Sequence, residues 1–258
     1  MMIILLKILF SYFLVIQMVN SFRICYNEDL KFIECYCSDE GANIFCELFH
    51  QNTIFTENNT EWLGFQNETN VTRLHFERNF NYIPTHIFNY TRNINTFIID
   101  YSNISVVPSF AFLHLNKLKH ITLNYDRIKI IASSAFANHP ELTVIDLESN
   151  YISHIGNNAF ANLTKLEELN FCNNYLEELP SDIFKDLISL KRIYLHSNRL
   201  VKFQRDLIWP IINNFYRDDA ELGFQCKYNN MIFLSLICCL NFLILLVSQR
   251  IRLNATLI

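Results

Sequence analysis

The 258-residue chain is 51% hydrophobic and 18% charged, and its formal net charge of −4, without a basic cluster, argues against a nucleic-acid partner. Four glycines, Gly41, Gly64, Gly156 and Gly223, leave no Gly-rich phosphate loop, and eight histidines (His50, His75, His86, His114, His120, His139, His154 and His196) show no metal-ligand spacing. With no nucleophile elbow or kinase signature either, the expectation is a protein that is not an enzyme and carries no cofactor.

Residues 1–21 read as a removed signal peptide. One cation, Lys7, precedes an apolar run from Ile8 to Ile16, and Val19-x-Ser21 suits a signal peptidase. Such a run is too short to span a bilayer. Residues 22–70 follow as an N-terminal cap, in which Cys25, Cys35, Cys37 and Cys46 lie together. In a secreted chain four clustered cysteines imply two disulfides, with a zinc site as the competing reading. From Glu47 to Asn70 the chain is Asn/Thr-rich and without a repeat signature, and it reads as an irregular extension of the cap.

From residue 71 to 212 the chain repeats, in about six units, mostly every 24 residues. The clearest copy is Leu166, Leu169, Phe171, Asn174, Leu176, Leu179, Pro180, Phe184, Leu187, preceded by Leu142, Ile145, Leu147, Asn150, Ile152, Ile155, Phe160, Leu163. Two earlier copies start at Leu118 and Ile94; one from Val71 is a residue short, and a last one from Leu190 fades near Ile208. In each unit the L-x-L core predicts a short strand whose alternate residues share a face, so that Ile145 and Leu147 go inward and Asp146 outward. The following Asn is suited to hydrogen-bond the turning backbone, and stacked copies predict a polar ladder in which Ser102 and Asp126 stand in for Asn. A Phe recurs at Phe88, Phe112, Phe136, Phe160 and Phe184, predicting an aromatic spine beneath the outer wall of a solenoid.

Residues 213–230 form an irregular C-terminal cap or stalk in this reading. Trp209, Ile211, Ile212 and Phe215, or another chain, would cover the last repeat. A second apolar run from Met231 to Val247 holds no charge and reads as a transmembrane helix over 231–248. Arg250 and Arg252 follow it, which places the short tail, 249–258, in the cytoplasm. A glycolipid-anchor signal is the alternative. Cys172 and Cys226 bring the ectodomain cysteines to an even number. An internal bond between them requires 213–230 to fold back, and a disulfide-linked oligomer through Cys226 is the other reading. Glycosylation acceptors stand at Asn58, Asn67, Asn70, Asn89, Asn103 and Asn162; Asn254 also matches but falls in the cytoplasmic tail.

The pattern L-x-x-L-x-L-x-x-N-x-L-x-x-L-P-x-x-x-F-x-x-L resembles the typical 24-residue leucine-rich repeat of extracellular proteins, the class of Toll, chaoptin and slit-like ectodomains. The resemblance implies an α/β solenoid with a curved parallel sheet on its concave face. It also implies a disulfide cap pairing Cys25 with Cys37 and Cys35 with Cys46. A standard C-terminal cap of that class has four cysteines after a Trp, whereas here Trp209 is followed by Cys226 alone.

The expectation is a single-pass plasma-membrane glycoprotein that binds a protein ligand or co-receptor through its ectodomain, as an adhesion molecule or co-receptor. A secreted or glycolipid-anchored matrix protein is the alternative. Two outward rows are predicted on the concave face: His75, Ile98, Thr122, Asp146, Asn170, Tyr194, and Glu77, Asp100, Asn124, Glu148, Cys172, His196. Asp100, Tyr101, Asn124, Tyr125, Asp146 and Glu148 are the candidate ligand contacts, because anchors concentrate near the middle of an interface and Tyr supplies buried area with a polar handle.

Overall fold

The computed structural model describes residues 22–24, 33–38, 44–48, 71–77, 80–201, 207 and 223–225. The signal run, the 231–248 run and its tail lie outside these residues, as do Cys25, Cys226, Trp209, Ile211, Ile212, Phe215, Asn58, Asn67 and Asn70.

The L-x-L segments form strands as their alternation predicts, and the strands stack in parallel. β1 (Phe22–Ile24), β2 (Ile33–Ser38) and β3 (Ile44–Leu48) belong to the cap segment. The repeats supply β4 (Val71–Glu77), β5 (Thr96–Asp100), β7 (His120–Asn124), β9 (Val144–Asp146), β11 (Glu168–Asn170) and β12 (Arg192–Tyr194). Together with β13 (Gly223–Gln225) they make one ten-stranded sheet in the order β1-β2-β3-β4-β5-β7-β9-β11-β12-β13. β1, β2 and β3 are antiparallel to one another and place Cys35 opposite Cys46; from β3 onward every pairing is parallel. Backbone bonds repeat with the sequence period: Lys119 N–H donates to Asn95 C=O at 2.7 Å, Thr143 to Lys119 at 2.8 Å, Glu167 to Thr143 at 2.8 Å and Lys191 to Glu167 at 2.8 Å.

The α/β expectation needs correcting. Among the described residues between Val71 and Val201 there is no α-helix, only a 3-10 turn at Thr85–Asn89 and successive tight turns. The return path also carries a second parallel sheet of two-residue strands, β6 (Val106–Val107), β8 (Ile130–Ile131) and β10 (His154–Ile155). Recurring left-handed residues explain the missing helix. Phe110, Ser134 and Asn158 have φ of 56°, 57° and 54°, and Asn138 and Asn162 of 66° and 60°, a conformation that cannot continue a right-handed helix.

The core lies between the large sheet and the return path. The inward strand pairs Leu74/Phe76, Phe97/Ile99, Ile121/Leu123, Ile145/Leu147, Leu169/Phe171 and Ile193/Leu195 are all buried. The spine phenylalanines are buried too, and Phe88, Phe112, Phe136 and Phe160 stack in succession at centroid distances of 5.9, 5.6 and 5.3 Å. On the return path Gly156 lies against the preceding repeat so closely that a Cβ would fall on the backbone of Ala132 and Ser133.

β13 was not visible in the sequence. It adds to β12 in parallel, Tyr194 opposite Gln225, within the segment read as an irregular cap or stalk. β12 therefore stands between β13 and the strand that leads into Cys172.

Candidate functional site

Because the strands are in register, residues 24 apart on the face away from the core become neighbours. Asp100, Asn124, Asp146 and Glu148 thereby converge on and just beyond the ends of β5, β7 and β9, all partly exposed. Asparagine amides tie the carboxylates together. Asn124 Nδ2 donates to Asp146 Oδ2 at 3.0 Å, Asn170 Nδ2 to Glu148 Oε2 at 3.3 Å and Asn173 Nδ2 to Glu148 Oε1 at 3.2 Å. The Glu148 N–H donates to Asn124 Oδ1 at 2.9 Å. Burial raises the Asp146 carboxyl above the ordinary carboxylate range, opposed by its bond from Asn124. At one flank His75 Nε2 lies 3.4 Å from Asp100 Oδ2, and at the other Arg192 holds Glu168 at 2.8 Å.

Beside this network two tyrosines project from the turns that leave the strands. Tyr101 and Tyr125 are 56% and 47% exposed, and their rings stack at 4.8 Å with an 8° interplanar angle. Both have φ of 55°, a left-handed conformation that costs a bulky side chain energy. The equivalent positions in later repeats, Ser149, Asn173 and Ser197, have φ of 56°, 56° and 55°, so the turn imposes the conformation and only two repeats place Tyr in it. All six predicted contact residues thus lie together at one edge of the sheet.

A second aromatic row went unread in the sequence. Tyr151 and Tyr175 stack at 5.4 Å, and the Arg199 guanidinium sits 4.0 Å over the Tyr175 ring. These residues follow the ladder Asn at spacings of 24, and that period could have exposed them.

Cys172 does not form part of an open surface, whereas its neighbour His196 is partly exposed. Cys172 is 1% exposed, with its Sγ 2.8 Å from His196 Nδ1, and burial pushes the thiol up to about 12. The thiol is therefore protonated at neutral pH and a weak nucleophile. Its predicted pairing with Cys226 falls on a residue outside the described ones. His75 and His196, at the ends of the array, form no pair. Among the described residues no group of His, Cys, Asp and Glu could hold a metal ion.

The stacked parallel strands, the inward L-x-L pairs and the polar ladder are a leucine-rich repeat solenoid. A family model, the BspA-type leucine-rich repeat region, matches in six copies over residues 19–107 and 101–206, well over half of the chain. The chain belongs to this family. No curated protein matches it. Leucine-rich repeats of this kind typically mediate protein interaction. Asn89, Asn103 and Asn162, three of the expected glycosylation acceptors, are exposed. Among the described residues no helix is long and apolar enough to cross a membrane.

Proposed function

We propose that this leucine-rich repeat protein binds a protein ligand through the outward edge of its large sheet. It does so as a single-pass cell-surface glycoprotein, an adhesion molecule or co-receptor of the typical 24-residue extracellular class. The observation that carries the reading is the stacked, half-exposed Tyr101–Tyr125 pair. Two tyrosines kept in a strained backbone conformation contribute little to the solenoid core. They offer apolar area with hydroxyls at the rim, the composition enriched at interface centres. The adjoining Asp100, Asn124, Asp146 and Glu148 supply acceptors already fixed by neighbours, which lowers the entropy lost on binding. Membrane attachment rests on the apolar run at 231–248 and the arginines after it, and the outside address on the signal run and sequons. No catalytic constellation supports an enzyme.

The test starts with proximity labelling on intact cells to find the ligand. Tyr125→Ala and Asp146→Ala should each then weaken its binding by more than about 1 kcal/mol, read by titration calorimetry, without lowering surface expression. Unchanged affinity for both variants, with loss from changes on the return path, would place the site elsewhere.

A further inference from the structure

The ladder beneath this edge is not uniform. Asn150, Asn174 and Asn198 each use Nδ2 to donate to three backbone carbonyls and Oδ1 to accept one N–H. For Asn174 the carbonyls are Leu147 at 2.9 Å, Phe171 at 3.1 Å and Cys172 at 3.1 Å, and the donor is Ile152 N–H at 2.9 Å. Asp126 occupies the same position one repeat before Asn150. It is 3% exposed, and its Oδ1 accepts the Ser102 N–H at 2.6 Å. Its Oδ2 is buried and has no hydrogen-bond partner among the described residues. The carbonyls that the Asn150 amide takes up correspond, one repeat earlier, to those of Ile99, Leu123 and Asn124. These are acceptors, and an ionised carboxylate offers them nothing, whereas the acid form carries an O–H donor.

We propose that Asp126 is held as the neutral acid in the folded solenoid, its proton replacing the asparagine amide and firming, in acid, the turn that presents Tyr101 and Tyr125. The turn is the same structure: Ser102, bonded to Asp126, follows Tyr101, and Tyr101 N–H donates to Asn124 C=O at 3.2 Å. The surroundings favour the proton. Asp100 on the preceding strand adds a like charge, and the flanking ladder positions Ser102 and Asn150 are uncharged. Glu148 on the following repeat is held by Asn170 and Asn173, and the cations next in sequence, Arg127 and Lys129, are exposed. Burial is the main cause that pushes the carboxyl up to about 7, with Asp100 adding and the Ser102 bond opposing.

The sign follows from linkage. A carboxyl whose folded pKa exceeds its unfolded value near 3.8 stabilises the fold fully below that value. It loses this contribution as pH rises to about 7, and the contribution is flat beyond. His139, also buried, has its pKa lowered by burial and opposes this trend in acid, so the comparison is made between variants. The full-length protein and its Asp126→Asn form are melted from pH 4 to 8, and the Asp Cγ carbon signals of the wild type are titrated by NMR. The Asn form should gain in thermal midpoint over the wild type by a margin that widens by several degrees between pH 4 and 7 and then stays constant. One carboxyl carbon, absent from the variant, should titrate near pH 7. A margin independent of pH, or an Asp126 carbon titrating near pH 4, overturns the proposal.

Discussion

The two halves of the repeat array are held by different means. In the C-terminal half the ladder is complete: Asn150, Asn174 and Asn198 are buried with every polar atom bonded. In the N-terminal half the described ladder positions are Ser102 and Asp126, which make fewer bonds, and aromatic packing compensates. Phe97 meets Phe76, Phe88 and Phe112 edge-on at 6.0, 5.2 and 5.5 Å, and Phe76 meets Phe80 at 5.0 Å. Repeats of one length can therefore be stabilised either by backbone satisfaction or by ring contacts, and the strained tyrosine turns occur only where the ladder is incomplete.

The comparison can be broken most directly through the rings. Phe97→Ala should cost about 4–5 kcal/mol in chemical denaturation, more than Phe160→Ala, whose ring meets two other rings among the described residues, Phe136 and Phe171. Equal costs would remove the claimed aromatic bias of the first half. Next, Asn174→Ala strips a donor from three buried carbonyls and an acceptor from Ile152, and should cost about 3 kcal/mol, while Ser102→Ala costs under about 1 kcal/mol. Thermal melts of the two variants would decide it, and a costly Ser102→Ala would show the first half to depend on its ladder after all. A smaller effect than that of Asn174→Ala is expected at the seam between the halves. Gly156→Ala forces a Cβ onto the backbone of Ala132 and Ser133 and should cost about 1–3 kcal/mol; a neutral result would mean that the two repeats can separate freely there.

Much of this was legible. Strand positions, the inward pairs and the phenylalanine spine depend on periodicity alone, and Asp100, Tyr101, Asn124, Tyr125, Asp146 and Glu148 could be grouped by counting residues. Tyr151, Tyr175 and Arg199 obey the same period and were passed over because they follow the ladder position rather than the strand. Cys172 was read as an outward residue, yet its position between Glu148, Asn170 and His196 buries it. β13 had no signature, since Gly223, Phe224 and Gln225 break the 24-residue spacing and join the sheet through backbone bonds that any residue with an N–H can make.

The sequence by itself determined the repeat, the inward face and the residues of the outward rows, because these follow from which side chains recur at which interval. Tertiary structure decided what becomes of each outward residue. It made the Tyr101–Tyr125 stack, closed over Cys172, left Asp126 Oδ2 buried without a hydrogen-bond partner among the described residues and added β13 to the sheet. Each outcome depends on the groups that the neighbouring repeat brings alongside, and burial and hydrogen-bond geometry across that junction are properties of the stack that no single unit contains.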